Sequence, residues 1–110
     1  MAINFKNVLA TLKQGIADLA GNSLKEFITQ ATADGQAILN ELKDDLKIWT
    51  KQLSNGDISK DDFSDLVLGQ ADEIKMIALK QAGLAEVAVD QFKSDVFNLI
   101  INTVVGLIPY

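Results

Sequence analysis

Residues 53–63 read LSNGDISKDDF, and this stretch sets the direction of the whole chain. Asn55-Gly56 is the pair that suits a left-handed C-terminal helix cap, because glycine has no Cβ to clash at positive φ. Three residues on, Ser59 can act as the N-cap of a following helix, with Asp61 and Asp62 in that helix's first turn beside its positive dipole end. Ile58 just before the cap and Phe63 four residues after it have the spacing of a hydrophobic staple. One helix stops here, another starts, and the chain reverses.

Working outward, both flanks carry a helical apolar stripe. On the N-terminal side it runs through Phe5, Leu9, Leu12, Ile16, Ala20, Leu24, Phe27, Ala31, Gly35, Ile38, Leu42, Leu46, Trp49 and Leu53, a mean step of about 3.7 residues against 3.6 for an α-helix. On the C-terminal side Phe63, Val67, Ala71, Ile74, Ala78, Ala82, Ala85, Val89, Phe92, Val96, Ile100, Val104 and Leu107 repeat with the same period. Strand-like alternation is absent from both. The spacing predicts an all-α fold, a long antiparallel helical hairpin with arms over about 3–54 and 60–108, each spanning roughly 75 Å if unbroken. Gly21-Asn22-Ser23 with Glu26 has the form of a capping box, and Gly83 is a second interruption. The stripe keeps its phase across both, so the expectation is kinks or weak points near 21–23 and 83 rather than reversals. Folding at the turn pairs positions whose numbers sum to about 116 or 117: Leu53 with Phe63, Trp49 with Val67, Ile38 with Ala78, Gly35 with Ala82 and Ala31 with Ala85.

Two helices hold little interior, yet 48% of the 110 residues are apolar. The second arm carries an apolar set off its main stripe, including Leu66, Leu68, Met76, Ile77, Leu79, Leu84, Val87, Phe97, Leu99, Ile101, Val105 and Ile108. A second copy is the economical cover, giving a homodimeric four-helix bundle; the alternative is a four-helix bundle within one chain. The residues expected at an interface with self or partner are Phe5, Leu9, Leu84, Phe97, Ile101, Val105 and Ile108. Asn55, Gly56 and Ser59 are structural turn residues.

The chemistry on offer is narrow. With no cysteine and no histidine, the chain lacks the thiolate nucleophile, the commonest general base and the commonest transition-metal ligand. The turn also resembles the second half of a helix-loop-helix calcium site, with Gly56 at the loop's glycine. In that alignment Lys51 and Leu53 take the first and third ligand positions, and an ammonium repels calcium. The acidic groups Asp44-Asp45, Asp61-Asp62 with Asp65, and Asp72-Glu73 read as solvated surface. Catalytic, cofactor and metal sites are therefore not expected. A net charge of −5 and ten scattered lysines do not suit nucleic acid. The C-terminal run VFNLIINTVVGLIPY is interrupted by Asn98, Asn102 and Thr103 and is too short to cross a bilayer, which needs about 20 apolar residues. With Ile3, Phe5, Val8, Leu9 and Leu12 it forms an apolar pole opposite the acidic turn.

The architecture is similar to that of small secreted helical hairpins that dimerise into four-helix bundles. Their turn signature is Trp-x-Gly, whereas Trp49 here stands well before Gly56. The N-terminus lacks the basic start and apolar core of a secretory signal. The expectation is thus a cytoplasmic, non-enzymatic self-association or interaction protein, an adaptor or structural subunit. An amphipathic protein binding a lipid surface through the apolar pole is the alternative, and a secreted hairpin protein is a weaker one.

Overall fold

Asn4 opens the first helix: its Oδ1 accepts from the Lys6 amide at 3.1 Å, satisfying one of the orphan donors of a helix start. A computed structural model describes residues 4–107. Helix α1 runs over Phe5–Ser23 and buries Val8, Leu12, Ile16 and Ala20, one side chain per turn. At Leu24 the backbone leaves the helical region (φ −135°, ψ 62°), a 3₁₀ turn follows over Lys25–Phe27, and α2 takes Ile28–Ser54. The chain reverses at this point. Gly35 of α2 lies against Ile16 of α1, the two residues being equidistant from the bend.

The expected single arm over 3–54 is therefore two antiparallel helices. Ser23 is the last residue of α1 instead of an N-cap, so the Ser23/Glu26 capping box does not set this boundary. The preserved phase misled for a physical reason. Leu24 and Phe27 remain half-buried against the core while the chain turns through them, so a short connection on the apolar side keeps the stripe intact.

The reversal at residues 53–63 forms as its sequence requires. Past the end of α2 the Gly56 amide donates to the Leu53 carbonyl (3.1 Å) and the Asp57 amide to the Gln52 carbonyl (2.8 Å), the two bonds of a Schellman cap, with Gly56 at φ +81°. Ser59 caps α3, Lys60–Leu68, in a full capping box: its hydroxyl accepts from the Asp62 amide and the Asp62 carboxylate accepts from the Ser59 amide, both at 3.0 Å. Ile58 packs against the core and Phe63 is buried within it, as the staple demands.

The second arm is also broken. After α3 come a 3₁₀ turn at Ala71–Glu73 and an extended Ile74, then the one-turn helix α4, Ile77–Gln81, and finally α5, Glu86–Leu107. Gly83 is a full helix stop and not a kink. It sits at φ +89°, its amide donating to the Lys80 carbonyl (3.1 Å) and the Leu84 amide to Leu79 (3.2 Å), a second Schellman cap. These breaks rotate the stripe: off-stripe Met76 and Leu79 are buried, whereas on-stripe Ala82 and Ala85 are exposed.

Among the described residues the fold is all-α without strands, four helices in one globule with α4 as a short accessory turn. Its longest dimension is 43 Å, far short of the roughly 75 Å of an unbroken arm. The radius of gyration, 14.0 Å, is near the about 13 Å of a compact chain of this length. Helix α1 packs on both α2 and α5, α2 on α4, and α3 on α5. The hairpin register fails away from the turn: Gly35 meets Ile16 instead of Ala82, and it is Asp34, one turn before Ile38, that reaches Ala78.

Candidate functional site

The residues expected to face a partner divide three ways. Phe97 and Ile101 lie in the chain's own core, because the fold-back of α1 covers α5; Gly15 of α1, for example, sits against Leu99. Against the expectation of an interface, they are core side chains and not open surface while α1 packs on its own α5. Phe5, Leu9, Leu84 and Val105 are half-buried and packed on the core's margin. Ile108 lies outside the described residues. The apolar pole is largely internal for the same reason, with Val8, Leu12, Val96, Ile100 and Val104 all buried.

Apolar surface remains elsewhere. The bend between α1 and α2 borders an open cleft of about 330 Å³, whose apolar lining is Leu24, Phe27 and Leu84 and whose rim carries Lys25 and Glu26. Beside it in sequence stand Ile28, 44% exposed, and Val87, 83% exposed on the first turn of α5. Ile77, 59% exposed, precedes the α4 amides that α2 holds. A second open cleft, about 390 Å³, lies by the α2–α3 turn between Ile58, Asp62, Asp65 and Leu66, with Leu68 exposed farther along α3. Single exposed apolar side chains are ordinary at a protein surface; what stands out is the gathering of Leu24, Phe27 and Leu84 at the α1–α2 bend.

Two polar contacts place α4, and neither was apparent from motif reading. Asp34 is 5% exposed; one carboxylate oxygen accepts from the Ala78 amide at 3.0 Å and the other from the Leu79 amide at 2.8 Å. It is the N-terminal cap of α4, supplied from another helix. Lys93 of α5 donates to the Ile74 carbonyl at 2.6 Å, holding the segment before α4. Spacing did contain the first signal. Asp34 falls on the apolar face, three residues after Ala31 and four before Ile38, where an unpartnered carboxylate would be costly.

These carboxylates are structural. Asp62 is committed to its capping box, and the Ser59 amide donating to it, with the Ser59 hydroxyl, holds its pKa below the usual 3.8. Among the described residues no group of three or more acidic side chains is placed to hold a metal ion. The calcium alignment has no loop to occupy, since Lys51 and Leu53 are in the last turn of α2. No helix of the described residues is long and apolar enough to cross a membrane. Thr50, buried in α2, leaves its Oγ1 without a hydrogen-bond partner.

Compared with protein-family models, with curated proteins and with solved structures, the chain matches none.

Proposed function

We propose that this chain is a non-enzymatic helical protein that self-associates and serves as an adaptor or structural subunit. The observation that supports it most is the apolar surface at the α1–α2 bend: a cleft with Leu24, Phe27 and Leu84 in its lining, and the bare side chains of Ile28 and Val87 one and three residues along the chain from Phe27 and Leu84. Covering two or three aliphatic side chains of this size is worth about 1.5–3 kcal/mol each when complete, which is enough to drive association when repeated on both copies. The clefts present no converging set of acid, base and nucleophile of the kind catalysis needs. A lipid-surface role has less to draw on, because most of the apolar pole it required is packed between α1 and α5.

The test is gel filtration of the parent and of a Val87→Asp, Ile28→Lys double variant at matched concentration. The proposal expects the parent to elute as an assembly and the variant to shift to the single-chain volume with its helical circular dichroism retained. Identical elution of both proteins contradicts it.

A further inference from the structure

We infer that two copies of this chain associate by exchanging α1, each copy's first helix swinging out about the 24–27 bend to dock on the other copy's α2 and α5. The inference deepens the self-association reading and rests on it; the geometry of the bend is what carries it further.

The two reversals of this chain are built differently. At 53–63 the turn is fixed by a Schellman cap on one side and a capping box on the other, with a glycine at positive φ that a continuous helix does not accommodate at equal ease. At 24–27 none of those devices is present. Leu24 and Phe27, the residues at the cap positions of the 3₁₀ turn and of α2, make no side-chain cap hydrogen bond, and no residue of the bend has positive φ. Every residue from 24 to 27 is compatible with helix, and the bend contains neither proline nor glycine. The apolar stripe passes through Ala20, Leu24, Phe27 and Ala31 in unbroken phase. Straightening the bend therefore gives one continuous helix over 5–54 whose apolar face stays on one side.

In that open form α1 no longer reaches its own α2, and the contacts it makes in the closed chain are recovered on a second copy. Val8, Leu12, Ile16 and Ala20 are each 2% exposed or less, so an isolated open chain would bare a full helix face. A second copy with the same vacancy is the one partner whose surface matches it residue for residue, including the close seat of Ile16 against Gly35. Such exchange is a low-cost route to a dimer because every exchanged contact already exists in the closed chain, and a short hinge favours it. Exchange also brings the two bends together about the twofold axis, where Leu24, Phe27, Leu84, Ile28 and Val87 of each copy would cover those of the other.

The chain has no cysteine, so a single engineered pair reports the connection. A Cβ at Gly15 would stand 3.1 Å from Leu99 Cδ2, which sets positions 15 and 99 face to face across the α1–α5 contact, where a cysteine pair tests the connection. The G15C, L99C variant is oxidised, its native mass is measured, and it is then run on a denaturing gel without reductant. A native mass of two chains with covalent dimers on the gel is the expected result. A native mass of two chains with covalent monomers overturns α1 exchange and leaves self-association standing; a native mass of one chain overturns both. Lys25→Pro supplies a second readout that does not depend on forming the bond. Proline is tolerated in the closed chain, where residue 25 opens the 3₁₀ turn and Leu24 before it lies outside the helical region, but falls in mid-helix in the open one. The dimer dissociation constant should rise at least a hundredfold, with helical circular dichroism kept; an unchanged constant overturns the exchange.

Discussion

Removing the Asp34 carboxylate should cost this protein a large part of its stability, and the loss should be centred on α4. Asp34 is 5% exposed and accepts from two separate amides, Ala78 at 3.0 Å and Leu79 at 2.8 Å. A hydrogen bond to a charged group contributes about 1.5–3 kcal/mol, and a buried donor left unpaired costs a comparable amount. Asp34→Ala removes both acceptors at once, for an expected loss of about 3–4 kcal/mol against a total of about 5–15 for a domain of this size. Asp34→Asn keeps one oxygen acceptor and should lose about half as much. Urea unfolding followed by circular dichroism gives the global figure. Hydrogen exchange gives the location: the Ala78 and Leu79 amides should be protected in the parent and exchange freely in Asp34→Ala. A change below about 0.5 kcal/mol, or unaltered protection at those two amides, would refute the assignment of Asp34 as the cap of α4.

Three further outcomes follow from single positions. Gly35→Ala would drive a Cβ into Ile16 Cγ2, a branch on a side chain that is stiff at χ1, so thermal unfolding should show a loss of about 1–3 kcal/mol from overpacking. Thr50→Val replaces a buried hydroxyl whose Oγ1 has no partner with a methyl of similar size, and denaturant titration should show a gain of about 1 kcal/mol. Asp62 has its pKa lowered in the fold, so its contribution is present above its usual 3.8 and is lost as pH falls through the lower folded value. The stability difference between the parent and Asp62→Asn should accordingly hold at pH 5 and shrink below about pH 4; a difference that grows with acidification would contradict that sign.

Helical content and the location of the main turn were legible because they rest on local chemistry. Asn55-Gly56, Ser59 and the Ile58/Phe63 staple are short-range devices, and each forms as written. All fourteen positions of the first stripe are buried or half-buried in the fold. Periodicity could not reveal that the stripe folds back on itself, because a bend that places Leu24 and Phe27 on the apolar side leaves the phase unchanged. Gly83 was visible as an interruption, but only its positive φ shows that it ends a helix. The break over 69–76 begins at Gly69, which keeps a helical φ of −61° and makes no cap of the Gly56 or Gly83 kind, and its stabilising contacts come from afar, Asp34 and Lys93 lying 44 and 19 residues from their partners. That distance is also why Phe97 and Ile101, which look surplus on an isolated arm, prove to be core. Leu84 was singled out as an apolar residue off the stripe, and it lines the cleft at the bend; nothing in the spacing marked Ile28, next after Phe27, as exposed.

Whether this chain pairs with a second copy is read most directly from its mass in solution. Sedimentation equilibrium of the unmodified protein across a range of concentrations measures this without any substitution. The predicted result is a reversible distribution that rises from the 11.9 kDa chain mass toward twice that value as concentration increases. A single species at 11.9 kDa over the whole range would contradict the account.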